Sequence, residues 1–139
     1  MTQNSLSFFM PMKSPPTTTA QQKQVNVKNG KPIFYEPDTV KEARAKLTAH
    51  LAKHIPQVPY DGPLACTVKW CFPTTAKKYN DGQYKDTKPD THNLNKLLFD
   101  IMSDLNFWID DARVAREVIE KFWVKESPPG IFIKIEELE

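Results

Sequence analysis

The chain has only two cysteines, almost no net charge and no long apolar run, and each shortage removes a class of protein. Cys66 and Cys71 are five residues apart, so within one alternating strand they face opposite sides and a mutual disulfide is disfavoured. No C-x-x-C pair is present, which argues against a zinc site built on thiolates. Two plain thiols suit a reducing cytoplasm. No apolar run approaches the roughly 20 residues of a membrane span, and the polar N-terminal stretch lacks a signal-peptide apolar segment. The expectation is a soluble cytoplasmic protein with no membrane partner. With 19 basic and 17 acidic side chains the formal charge is +2, so any DNA surface must be a local patch rather than a global field.

What is present is a sequence of 139 residues with the punctuation of one domain, spanning 1–139. Residues 6–10 read as a short strand, and the Pro-, Thr- and Gln-rich stretch 11–23 reads as a loop. Residues 25–28 and 33–35 flank Asn29-Gly30, a hairpin signal. Pro37 opens a helix to about His54, with Val40, Ala43, Leu47 and Leu51 at helical spacing; Pro56, Pro59 and Gly62-Pro63 end it. Residues 64–72 are apolar, aromatic and β-branched enough for an interior strand, and 73–87 form a polar loop. A second helix covers roughly 91–105, and strands at 114–124 and 131–135 are joined by Pro128-Pro129-Gly130. This order predicts an α+β domain with its helices against one sheet.

The second helix carries the chemistry. Leu94, Leu97, Leu98, Ile101 and Leu105 fall on one arc and form a core stripe, whereas Asn93, Lys96 and Asp100 share another arc with His92 near its edge. Asp90 precedes the helix and Asp110-Asp111 follow it. Each has an ordinary explanation: Asp90 as an N-cap, His92 as a surface residue, Lys96 and Asp100 as a helix ion pair, Asp110-Asp111 as a polar turn. Together they place acids at both ends of one helix, next to a basic loop. Clustered carboxylates must pair with cations or bind a divalent metal, because like charges shift one another's pKa.

The segment KPDTHNLNKLLFDIMSDLNFWIDDARV resembles the RusA family of Holliday-junction resolvases, whose pattern is approximately K-P-D-x-D-N-L-x-K-x-x-x-D-x-L followed by W-x-D-D-x-x-V. Lys88, Pro89, Asp90, Asn93, Leu94, Lys96, Asp100, Trp108, Asp110, Asp111 and Val114 match in order and spacing. The resemblance implies a mixed β-sheet with two main helices packed on it, assembled as a homodimer. It also implies a Mg²⁺- or Mn²⁺-dependent endodeoxyribonuclease of bacteria and their prophages, acting on four-way or branched DNA. Asp90 and Asp111 take the roles of metal ligands and Lys96 that of an essential base-charged residue. His92 stands where the family carries a second carboxylate. Imidazole suits Mn²⁺ better than Mg²⁺, which prefers oxygen donors.

In that scheme Asp90, Asp111 and Lys96 are the catalytic candidates, Asp110 and His92 complete the metal set, and Asn93 and Asp100 support it. Asp100 is expected to orient Lys96 or a ligand, being too far along the helix to share an ion with Asp90. Lys77, Lys78, Lys85 and Lys88, interleaved with Tyr79 and Tyr84, are the expected DNA contacts, with Lys13 and Lys23 as weaker ones. Val118, Ile119, Phe122 and Trp123 suit either core or interface. A two-fold dimer matches the symmetry of a four-way junction. Two other readings are a non-catalytic DNA-binding protein of the same fold and a metal nuclease acting on flaps or forks.

Overall fold

A computed structural model describes residues 5–18, 24–28 and 30–139. Seven strands and two α-helices follow one another as β1 (Ser5–Pro11), β2 (Gln24–Lys28), β3 (Lys31–Tyr35), α1 (Asp38–Leu51), β4 (Leu64–Pro73), β5 (Gln83–Tyr84), α2 (Thr91–Asp104), β6 (Val114–Val124) and β7 (Gly130–Glu137). The main sheet is mixed, in the order β1-β7-β4-β6-β5, and the hairpin β2-β3 forms a sheet of its own. The α+β architecture is therefore as expected, with two main helices on a mixed sheet. Lys23 and Asn29 lie outside the described residues.

The central strand β4 explains why the helices lie where they do. Its residues alternate, and Leu64, Cys66, Val68, Trp70 and Phe72 are all buried toward the helices. Ile131, Ile133 and Ile135 of β7 join them, as do Phe8 and Met10 of β1. Onto this face α1 lays Ala43, Leu47 and Leu51, and α2 lays Leu94, Leu97, Leu98, Ile101 and Met102. Cys66 faces the core and Cys71 the opposite side; both are free thiols. Burial pushes the Cys66 thiol up to about 12, with Glu117 adding to the effect, so it is chemically inert.

The main sheet departs from plain meander order: β1-β7, β7-β4 and β4-β6 all join strands that are not consecutive in the chain. β4 and β6 are parallel neighbours, from Leu64 opposite Val114 to Pro73 opposite Val124, and α2 is the crossover between them. β5 was not expected within the 73–87 loop. Its two residues pair with Trp123 and Phe122 at the far end of β6, where Tyr84 stacks on Phe122 and Tyr79 on Trp123. Among the described residues, nothing pairs with the outer edge of β6 before that point. The last turn of the first helix is a 3-10 turn, Ala52–His54, whose His54 ring stacks on Phe8.

Gly130 shows how tightly β7 is seated. Its φ is +151°, and a Cβ there would lie 2.2 Å from the Met10 carbonyl oxygen and 2.7 Å from the Phe9 ring. The Met10 carbonyl is backbone of the paired strand β1, so it cannot move without breaking the ladder, even if the Phe9 ring swings aside. Gly130→Ala is expected to cost about 3 kcal/mol or more, read as a lower urea midpoint with the slope of the transition unchanged.

Candidate metal and nucleic-acid site

At the start of α2 stand Asp90, His92, Asn93 and Lys96. Asp90 is the residue before the helix, with extended backbone, yet its carboxylate accepts no hydrogen bond from the first turn. The simple capping role is therefore not the one it plays. Asp90, His92 and Lys96 are exposed, and His92 and Lys96 share a face one turn apart. Lys96 makes no ion pair with Asp100 among the described residues. Asn93 turns inward, and its Oδ1 is buried without a hydrogen-bond partner among the described residues.

The other acids lie at the opposite end of the helix. Asp100, Ser103 and Asp104 line an open cleft of about 450 Å³ with Arg44, Ile109, Asp110 and Asp111. Ten residues of helix put Asp100 about 15 Å along the axis from Asp90. Asp90 and Asp111 thus do not converge within one chain, and Asp100 stands with Asp111 rather than with Asp90. Asp110 caps the 3-10 turn Asp111–Arg113 by accepting from the Ala112 N–H at 2.8 Å. That bond holds the Asp110 carboxyl below its usual range, helped by a hydrogen bond from Asp111. Asp111 moves the other way: partial burial, then Asp110 and Asp100, raise its pKa. Arg44, the cation in this cleft, is bound to Glu36 by two hydrogen bonds of 3.1 and 3.3 Å.

The basic loop needs one correction. Lys77, Lys78 and Lys88 are exposed, and Lys78 lies over the Tyr79 ring. Lys85, expected to meet DNA, is only 8% exposed. Its ammonium lies 4.3 Å from the Trp123 ring centroid and donates to Thr87 Oγ1 and the Lys88 carbonyl. Burial, then the neighbouring Lys121, lowers its pKa. An ammonium largely covered and bound by its own loop is poorly placed to meet a phosphate.

Two residues escaped the sequence reading. Asn95 is buried on α2, accepting from Trp70 Nε1 at 3.1 Å and donating to Glu117 at 3.1 Å, which ties the helix to β4 and β6. Lys121 donates to the carbonyls of Thr87 at 2.6 Å and Pro89 at 2.8 Å. The signal for Lys121 was its place in β6, on the same face as the inward-facing Ile119 and Trp123; a lysine in such a row must find acceptors. Ile119 and Trp123 pack against the core, while Val118 is 41% exposed.

A family model described as "Endodeoxyribonuclease RusA" matches residues 13–136. The chain belongs to the RusA family. It is also similar to a protein of Lactococcus phage r1t named "Crossover junction endodeoxyribonuclease rusA", with 33% identity over 100 residues, covering 70% of this chain and 74% of the relative. The donors at both ends of α2 fit a hard divalent cation. Among the described residues, Asp90 makes no capping hydrogen bond and Asn93 offers an unpartnered oxygen; His92 is exposed, and Asp111 carries a repulsion that a cation would relieve. Among the described residues, no three His, Cys, Asp or Glu side chains gather to hold a metal by themselves.

The raised pKa of Asp111 has a sign that can be checked. The folded protein binds a proton there more readily than the unfolded chain, so the ionised carboxylate destabilises the fold. In metal-free buffer Asp111→Asn is expected to raise the thermal midpoint. The gain is full above the raised pKa and vanishes below the ordinary carboxylate value of 3.8. A melting series against pH reads it directly.

Proposed function

We propose that this RusA-family protein is a metal-dependent endodeoxyribonuclease that resolves four-way DNA junctions by paired nicks. The observation that carries the reading is the Asp90 carboxylate, placed at a helix start without a capping hydrogen bond in a segment that matches the family. The phage relative and the free thiols support a prophage-encoded enzyme working in the cytoplasm. A bound divalent cation would supply a more acidic water and neutralise charge on the phosphate. Asp90, His92, Asp110 and Asp111 would hold it. Lys96, exposed one turn from His92, places its ammonium against the charge that develops on the phosphoryl oxygens or the leaving 3′-oxygen. Lys77, Lys78 and Lys88 contact the DNA backbone without reading sequence.

The separation of Asp90 from Asp111 favours a homodimer whose sites are shared. Among the described residues, the outer edge of β6 is unpaired from its start to where β5 pairs. Two such edges, joined antiparallel about a two-fold axis, set the start of one β6 against the far end of the other. Asp111 precedes the start of β6, and Asp90 lies beside the far end, since Lys121 bonds the Pro89 carbonyl. Each site then takes Asp90 from one protomer and Asp111 from its partner. The arrangement also makes nicking a property of the pair, which a symmetric junction requires.

Incubating the protein with a labelled four-way junction, and with linear duplex as control, is expected to give paired symmetric nicks confined to the junction. Mn²⁺ should support a faster reaction than Mg²⁺, and His92→Asp should lower the ratio of the two rates. Junction binding without nicks in either metal would instead favour a binding protein of the same fold.

A further inference from the structure

Lys85 and Lys121 form a paired ammonium clamp whose four acceptors all lie in residues 87–89, immediately before Asp90. The clamp is built into the sheet. The Lys85 backbone N–H donates to the Lys121 carbonyl at 2.9 Å, so both side chains start from one fixed point. Lys85 is held from behind by Trp123 and Phe72, whose ring centroids lie 4.3 and 5.5 Å from its ammonium. Two like charges side by side repel, and Lys121 acts to lower the pKa of Lys85. Three of the four bonds are part-buried, so the clamp both satisfies these acceptors and fixes the position of the backbone that carries them. On its other side Asp90 is fixed by its own carbonyl, which accepts from Leu94 N–H at 3.1 Å.

We propose that Lys85 and Lys121 are positioning residues, which set the Asp90 carboxylate for its cation by holding the 87–89 backbone. The inference rests on Asp90 being a metal ligand as proposed above. Neither lysine touches DNA or metal in this role, which separates them from Lys77, Lys78 and Lys96.

The test uses the full chain with Lys121→Met and Lys85→Met. Mn²⁺ binding is followed by electron paramagnetic resonance without DNA, and junction affinity is measured separately in EDTA. Both variants are expected to weaken Mn²⁺ binding about 10- to 100-fold while junction affinity changes less than about twofold, as when a group supporting a metal ligand is removed. Lys85→Met keeps the test alive should Lys121→Met fail to fold, because methionine packs between Trp123 and Phe72 without a desolvated charge. Its thermal midpoint is expected to hold or rise even as Mn²⁺ binding falls, which a merely structural lysine would not produce. Unchanged Mn²⁺ binding in the folded variants overturns the proposal, and so does an equal loss of junction affinity in EDTA. Asp90→Asn is the control: if it binds Mn²⁺ like the parent protein, the metal assignment itself has failed and the positioning role with it.

Discussion

Parallel pairing of β4 with β6 obliges the chain to travel from the end of one strand back to the start of its neighbour, and α2 makes that return. The helix is 14 residues long, about 21 Å at 1.5 Å per residue, and covers much of the length of the strands. Its apolar face closes the core over Trp70, Val68 and the isoleucines of β7. Its two ends, by the same geometry, cannot meet. The acids that flank the helix in sequence are consequently distributed to the two ends of the sheet. The pairing that stabilises the fold also keeps the two proposed groups of ligands apart within one chain.

The acids at the two ends are poised differently. At the helix start, Asp90 has the backbone of a cap without its hydrogen bond, and the loop before it is gripped by two lysines. At the far end, Asp110 is engaged by the Ala112 N–H, and Asp111 is left to bear the repulsion of its neighbours. Stability is left ungained at both places, and the proposed cation would recover it. Lys85 is a further case: a desolvated ammonium is a poor way to fill a core, but a good way to hold three residues still.

Much of this was legible in the sequence, for identifiable reasons. The alternation of 64–72 and the helical spacing of Leu94, Leu97, Leu98 and Ile101 report burial directly, so strand, helix and core follow from them. The family motif supplied the acids and the departure at His92. The positions of Asp90 and Asp111 relative to each other depend on which strands are parallel, and no local pattern in 114–124 declares that. Lys85 was misread because composition gives a loop its charge but not the direction of each side chain; the Trp123 that covers it is 38 residues later in the chain. β5 was invisible for a related reason, since two residues carry no periodicity and their pairing comes entirely from β6.

The central claim is that each site is assembled from the two ends of α2 on different protomers. Asp90→Asn and Asp111→Asn, each expected to be inactive alone, can be unfolded together and refolded as a mixture. In a shared arrangement the heterodimer contains one site with both mutations and one with neither, so the mixture should nick a four-way junction on one strand. If each site were built within a single chain, every protomer would carry a damaged site and the mixture would stay as inactive as its components, contradicting the account.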